Sequence, residues 1–89
     1  MTPELESALK EAIEAATGES GWICTGRGIG GSKSIRFDHF ALNLKFRCSN
    51  DDLFTITIKE QIGGEVYSQE FNCAAYCDTL RSKGYPKTT

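Results

Sequence analysis

The sequence has no long hydrophobic run and only a single histidine, and each shortage argues against a class of protein. No segment approaches the roughly 20 consecutive apolar residues of a membrane span. The N-terminus also has neither the basic start nor the apolar run of a signal peptide. We therefore expect a cytoplasmic protein without membrane contact, whose four cysteines stay reduced. No two carboxylates have a spacing that forces them together, and a lone histidine makes a weak case for acid–base catalysis, so we expect no enzyme.

The length of 89 residues predicts one compact domain spanning 1–89. A chain this short buries about 60% of the surface that its unfolded form exposes, so its core is modest. Few residues remain to build the walls of a deep catalytic cleft. The apolar content of 39% and the charged content of 25% are typical of globular proteins and exclude a disordered chain.

The net charge of −2 hides an uneven distribution along the chain. Residues 1–21 contain five glutamates and one lysine, and residues 50–89 are mildly acidic. Residues 22–49 instead contain five basic residues and a single aspartate. Such polarity is the first feature that points to a binding surface.

Helices are predicted at both ends of the chain. Near the N-terminus, Thr2 is a suitable cap, Pro3 suits the first helical position, and Gly18 suits the left-handed position that ends a helix. Near the C-terminus, Asn72 suits an N-cap and Gly84 a stop. Each helix has one apolar stripe at helical spacing, formed by Leu5, Ala8, Leu9, Ala12, Ile13 and Ala16 in the first and by Cys73, Tyr76, Cys77 and Leu80 in the second.

Between the helices, apolar and polar residues alternate as they do in strands. Trp22–Thr25 is a short strand or a buried loop, and the glycine-rich segment 26–34 is predicted to be a flexible loop. From Ile35 to Cys48 we expect extended chain with a bulge or bend near Asp38-His39, where the alternation slips by one residue. The apolar set of this segment is Phe40, Leu42, Leu44 and Phe46, and that of the next strand is Phe54, Ile56, Ile58 and Ile62.

Gly63-Gly64 is a two-residue hairpin signal that returns the chain through Val66-Tyr67. The expected fold class is therefore α+β, a two-layer sandwich in αβββα order. Its three- to four-stranded antiparallel sheet packs both helices on one face. The other face would display Asn43, Lys45, Arg47, Thr55, Thr57, Lys59, Ser68 and Glu70, and only the tail 87–89 is expected to fray.

Two motifs suggest chemistry and fail on inspection. Gly26 and Gly31 have the spacing of P-loop glycines, but Ser32 separates the second glycine from Lys33, and strand-like sequence follows where a helix is needed. The four cysteines lack the tight C-x-x-C spacing of structural zinc sites and occupy positions where an apolar residue would serve. We predict no cofactor and no metal.

The order of elements is that of double-stranded RNA-binding domains, and the basic segment 27–47 makes nucleic-acid binding the main alternative. Those domains place a lysine-rich cluster at the start of their second helix. Here that helix opens with Asn72-Cys73-Ala74-Ala75 and has no lysine before Lys83. A pI near 5.3 also opposes this alternative.

The remaining hypothesis is a non-enzymatic module that binds a protein partner, in the style of phage or mobile-element proteins that inhibit a host defence or nucleic-acid-handling complex. Glutamates on the outer face of the first helix would mimic a nucleic-acid backbone, or a basic edge would bind an acidic partner. The predicted interaction residues are Glu4, Glu11, Glu14, Arg27, Lys33, Arg36, Lys45 and Arg47. The sequence does not determine the oligomeric state, although an exposed edge strand would permit a dimer.

Overall fold

A computed structural model describes residues 3–26, 34–49, 52–62, 65–68 and 71–85. The elements in chain order are α1 (Pro3–Thr17), β1 (Ile23–Gly26), β2 (Ser34–His39), β3 (Leu44–Ser49), β4 (Asp52–Ile62), β5 (Glu65–Ser68) and α2 (Cys73–Ser82). The predicted Thr2 cap, most of the glycine-rich loop including Arg27 and Lys33, the Gly63-Gly64 turn and the tail 87–89 lie outside the described residues.

The first helix is confirmed at both ends. It begins at Pro3 and ends at Thr17, and Gly18 follows with φ of +71°, a conformation that side-chain-bearing residues rarely adopt. The predicted apolar stripe faces the core, with Leu9, Ala12 and Ile13 fully buried. Its many alanines are short, so the helix axis can lie close to its neighbours.

The sheet is an antiparallel meander in which each strand pairs with the next along the chain, in the order β1-β2-β3-β4-β5. Ile62 on β4 pairs with Glu65 on β5, so a two-residue connection joins these strands, as predicted. Both helices belong to the same core as the buried face of this sheet. The α+β class and the antiparallel sheet between terminal helices are confirmed.

The predicted bulge near Asp38-His39 is wrong, because the chain reverses there instead of bending. β2 ends at His39, residues 40–43 form a turn, and β3 starts at Leu44, directly opposite His39. Asn43 supplies the positive φ of +55° that the turn requires, and its amide donates to the Phe40 carbonyl. This reversal raises the strand number to five. It also removes Asn43 from the polar face of the sheet, where it was predicted to lie.

The reversal also overturns the core positions predicted for Phe40 and Leu42. Both stand on the turn and are exposed, at 69% and 41%. The alternation continued through the turn in the sequence, so period-2 counting could not separate turn residues from strand residues. His39, which fell out of phase in the predicted strand, is instead buried beside Leu44.

The core lies between the sheet and the two helices, which contact each other. Its centre is a chain of aromatic rings in which Phe46 stands 6.1 Å from Phe37 and 5.9 Å from Tyr76, centroid to centroid. The molecule measures 44 × 31 × 19 Å, and the short dimension is that of one helix layer on one sheet. Among the described helices, none has the length and apolar character needed to cross a membrane.

The second helix has well-formed ends. The Asn72 side chain accepts a hydrogen bond from the Ala75 amide, which confirms the predicted N-cap. At the other end, Gly84 has φ of +90° and the Tyr85 amide bonds back to the Leu80 carbonyl, a Schellman motif that buries the Tyr85 ring. One residue of the predicted stripe is wrong: Cys73 is exposed, because it occupies the first turn of the helix beyond the edge of the core.

A buried hydrogen bond fastens α2 to an irregular part of β4. Between the pairs Arg47–Thr57 and Ser49–Asp52 the register shifts, so that Cys48 alone stands against residues 53–56. In this stretch the Leu53 carbonyl accepts a hydrogen bond of 2.6 Å from the Tyr76 hydroxyl. A buried carbonyl in irregular backbone needs such a partner, and the helix provides it.

Replacing Tyr76 by phenylalanine should lower the free energy of unfolding by about 1–2 kcal/mol, because the Leu53 carbonyl stays buried and loses its donor. Urea unfolding followed by circular dichroism measures the change. Ser82→Ala is the matched control, since it removes an exposed hydroxyl of the same helix that bonds to the Thr79 carbonyl. A loss no larger than that of the control would contradict the structural role of the Tyr76 hydroxyl.

Stability should also fall at alkaline pH through Cys48. Burial raises the pKa of this thiol from 9.0 to about 11, and burial also raises the pKa of Tyr76. Below pH 9 both folded and unfolded chains keep the Cys48 proton. Above it the unfolded chain ionises first, so folding loses free energy as the pH rises toward 11.

Cys48→Val should therefore lose about 1–2 kcal/mol less than the wild type between about pH 8 and about pH 10.5, measured by urea unfolding under reducing conditions. Cys73→Ala serves as the control, because it removes an exposed thiol and leaves the core unchanged. Identical pH dependence in wild type and Cys48→Val would contradict the burial of an un-ionised thiol.

Candidate functional site

The candidate site is the face of the sheet that the helices leave uncovered. In β2 and β3 the buried residues alternate with exposed ones, so Arg36, Lys45 and Arg47 point away from the core. Thr57 and Lys59 of β4 continue the same exposed face. We call this surface the open face.

The open face is concave and encloses a volume of about 650 Å³. Its lining combines four cations, two carboxylates and three threonine side chains: Arg36, Lys45, Arg47, Lys59, Asp38, Asp52, Thr25, Thr55 and Thr57. Phe46, Cys48 and Ser49 also line the concavity, but the Phe46 ring belongs to the core and is only 1% exposed. The concavity is therefore polar, with an excess of positive charge.

Two pairs of like charges stand directly opposite each other across neighbouring strands. Arg36 of β2 is in register with Arg47 of β3, and Lys45 of β3 is in register with Lys59 of β4. Residues in direct register have Cβ atoms about 4.5–5.5 Å apart, and like charges at this spacing destabilise a sheet. The two pairs occur two residues apart along β3, a rise of about 6.6 Å, so four cations occupy one compact area.

Among the described residues, these cations have no carboxylate in ion-pair contact. Within the ranges that the structure describes, no carboxylate makes an ion pair with Arg36, Lys45, Arg47 or Lys59. Asp38 is half-buried in register with Lys45 but is not in ion-pair contact with it. The positive charge of the open face is therefore available to a ligand.

Local features of the chain affect two of the charged side chains. The Arg36 guanidinium lies over β1, where a Cβ atom at Gly26 would be 2.9 Å from the Arg36 Nε and would make this flexible group shift. Asp52 accepts hydrogen bonds from the Phe54 amide and the Thr55 hydroxyl. The bond from Thr55 holds the pKa of the Asp52 carboxyl below its usual value, so this group stays ionised where it lines the concavity.

The structure separates the predicted interaction residues into two groups. Arg36, Lys45 and Arg47 come together on the open face. Glu4, Glu11 and Glu14 lie on α1, in the opposite layer of the molecule. Glu14 is half-buried, and Glu11 forms an ion pair of 2.8 Å with Lys83 that links the two helices.

Lys59 completes the basic group and was not among the predicted interaction residues. The sequence placed it on the polar side of its strand, but its proximity to Lys45 depends on the register between β3 and β4. A register shift in these strands lies between Arg47 and Ser49, and no local sequence signal determines its size. The pairing of the two lysines could therefore be recognised only from the structure.

The histidine is part of the fold rather than of a catalytic group. His39 Nε2 lies 2.6 Å from the Ser20 carbonyl, and His39 Nδ1 accepts a hydrogen bond from the Leu42 amide at 3.2 Å. The ring also stands edge-on to Trp22, with centroids 5.6 Å apart. Because both ring nitrogens have backbone partners, the side chain ties the segment after α1 to the β2–β3 turn.

The structure also describes the surroundings of the P-loop-like glycines and of the four cysteines. The strand β2 begins at Ser34, so no helix follows the glycine-rich segment as a P-loop would require. In the part of the chain that the structure describes, histidine, cysteine and carboxylate side chains form no group that could hold a metal ion. All four cysteines are free thiols.

No family model matches this chain, and no curated protein or solved structure does either. Function must therefore be argued from the open face itself.

Replacing His39 by alanine should lower the free energy of unfolding by about 2–4 kcal/mol, because it leaves two backbone groups without partners and opens a cavity beside Trp22. Trp22 is the only tryptophan, so its fluorescence reports the change directly, and we expect a red-shifted emission. Ala41→Ser, an exposed change in the same turn, is the control. Wild-type stability of His39→Ala would contradict the tie.

Proposed function

We propose that this domain is a non-enzymatic protein-binding module whose open face holds an acidic surface of its partner. The observation that carries the proposal is that like charges stand in direct register at two places on this face, Arg36 with Arg47 and Lys45 with Lys59. Each pair opposes folding slightly, and an arrangement that opposes folding is typical of a binding site. A carboxylate placed between the members of a pair removes their repulsion and gains two charge-assisted hydrogen bonds.

The mixed chemistry of the open face favours a protein over a nucleic acid. Asp38 and Asp52 line the same concavity as the cations and would repel a uniformly charged phosphate backbone. Among the described residues that line the concavity, no aromatic ring is exposed for a base to stack on. A protein surface can place carboxylates over the cations and donors over the two aspartates.

Nucleic-acid binding is the second candidate, and the four unpaired cations are the observation that favours it. The fold gives it no additional support. Five strands separate the two helices, where double-stranded RNA-binding domains have three. Among the described residues of the second helix, the first turn carries no basic side chain.

The hypothesis of an inhibitor that uses the glutamates of α1 stays a prediction. Its residues belong to the layer opposite the open face, and Glu11 already neutralises Lys83. Replacing Glu11 by lysine would set two cations against each other between the helices, so it would test stability as much as binding. The open face offers cleaner variants.

Charge reversal at one member of each like-charge pair should separate binding from folding. The double variant Arg36→Glu/Lys59→Glu turns both repulsive pairs into attractive ones, so we expect its stability to rise by about 0.5–1 kcal/mol. The same change removes the excess positive charge of the concavity and should abolish partner binding. The measurements are urea unfolding and affinity capture from a nuclease-treated cell lysate with the immobilised domain.

Lys10→Glu is the control for the double variant, because it reverses an exposed lysine on α1 rather than on the sheet. It should retain the partner that the wild type captures. Equal capture by wild type and double variant would show that the open face is not the binding surface. Capture that disappears after nuclease treatment would instead identify nucleic acid as the ligand.

A further inference from the structure

The exposed large hydrophobic side chains of the described residues stand on β1 and on the β2–β3 turn, next to the cross-strand row that contains Asp38. They are Ile23, Phe40 and Leu42, exposed at 53%, 69% and 41%. Ile23 is in register with Asp38, so it belongs to the same cross-strand row as Lys45 and Lys59. Phe40 follows Asp38 by two residues, and Leu42 stands on the same turn. We call these three side chains the apolar rim.

The fold does not require apolar side chains at these positions. Residues 40–43 form a tight turn, where small polar residues and glycine are the usual choice. Single exposed hydrophobic residues are ordinary, but a cluster of them beside a charged surface is typical of a recognition site.

Hydrogen bonds hold the backbone of the turn that carries Phe40 and Leu42. The Leu42 amide donates to the buried His39 ring, and the Asn43 amide donates to the Phe40 carbonyl. His39 in turn contacts Trp22 and the Ser20 carbonyl. Phe40 and Leu42 are thus presented in a fixed position, which reduces the entropy lost on binding.

We infer that the partner is an acidic segment with an aromatic or aliphatic anchor at one end, whose carboxylates lie on the cations and whose anchor packs on the apolar rim. This inference rests on the proposed function of the open face. Charge complementarity and the continuity of the row from Ile23 to Lys59 identify the occupant. An apolar contact at one end of a charged surface determines which way round the acidic segment binds, and it also adds affinity.

Fluorescence anisotropy with defined peptides tests this. The probes are a labelled peptide of about ten glutamates and two versions of it that carry Phe-Leu at the N-terminus or at the C-terminus. An oligo-dT of about 20 nucleotides is the nucleic-acid probe. Each is titrated with the wild type, Phe40→Ser, Ile23→Ser and the control Ala15→Ser, which adds a hydroxyl to an exposed helix position.

We expect one anchored peptide to bind the wild type about tenfold more tightly than the all-glutamate peptide. Phe40→Ser and Ile23→Ser should reduce or remove this gain and leave the affinity for the all-glutamate peptide unchanged. Ala15→Ser should behave as the wild type. Because the substituted side chains are exposed, circular dichroism should show that all variants fold.

Three outcomes would overturn the inference. If the all-glutamate peptide binds but neither anchored peptide binds more tightly, the open face is correct and the apolar rim is not used. If the gain survives in both rim variants, the anchor binds elsewhere. If no peptide binds and oligo-dT does, the proposed function fails together with the inference.

Discussion

The chain has enough residues to cover only one face of its sheet, and the rest of the structure follows from that constraint. Two helices, α1 and α2, lie together against the face that carries Phe37, Phe46 and Ile58. The opposite face cannot be apolar, since it has nothing to pack against. Strand residues alternate between the two faces, so every strand residue that points into the core is followed by one that points to the uncovered face.

The open face is built on strands, and this affects what it can do. Hydrogen-bonded strands hold Arg36 opposite Arg47 and Lys45 opposite Lys59 whether or not a ligand is present. In a mobile loop the same side chains would move apart and lose little energy. Here the ladder fixes the backbone positions from which the four cations extend, which would lower the cost of ordering them around a ligand.

Polar groups inside the molecule connect the irregular segments to the regular ones. The Tyr76 hydroxyl serves the Leu53 carbonyl in the uneven part of β4, and His39 joins the segment after α1 to the β2–β3 turn. Trp22 adds a hydrogen bond from its indole to the Thr17 hydroxyl, which in turn bonds to the Ile13 carbonyl. In the described residues no buried side-chain nitrogen or oxygen lacks a partner. These ties keep the backbone satisfied where the ladder does not.

The sequence predicted the elements well where a periodic pattern coincided with a capping signal. Pro3, Gly18, Asn72 and Gly84 mark helix ends in the sequence and in the structure. It failed at residues 40–43, because Phe40 and Leu42 kept the alternation of a strand while Asn43 reversed the chain.

The site was predictable in part, for a related reason. Alternation placed Lys45, Arg47 and Lys59 on one side of their strands, but contacts between strands depend on register. The register of β3 with β4 includes an irregularity opposite Cys48 that local sequence does not encode. The like-charge pairs, on which the proposed function depends, were therefore beyond sequence reasoning.

The separation of charge between the two layers makes the proposed binding of an acidic partner compatible with the negative net charge of the chain. Electrostatic interactions in physiological salt are screened over about 8 Å, whereas the molecule is 19 Å thick. A partner near the open face therefore encounters Arg36, Lys45, Arg47 and Lys59 and is largely insensitive to the glutamates of α1. A partner that approaches the helices instead meets exposed glutamates of α1 such as Glu4. The net charge of −2 averages over both layers, so it does not describe the field at either surface. The opposed layers would instead orient the encounter, which is why the proposed docking of an acidic partner uses the sheet.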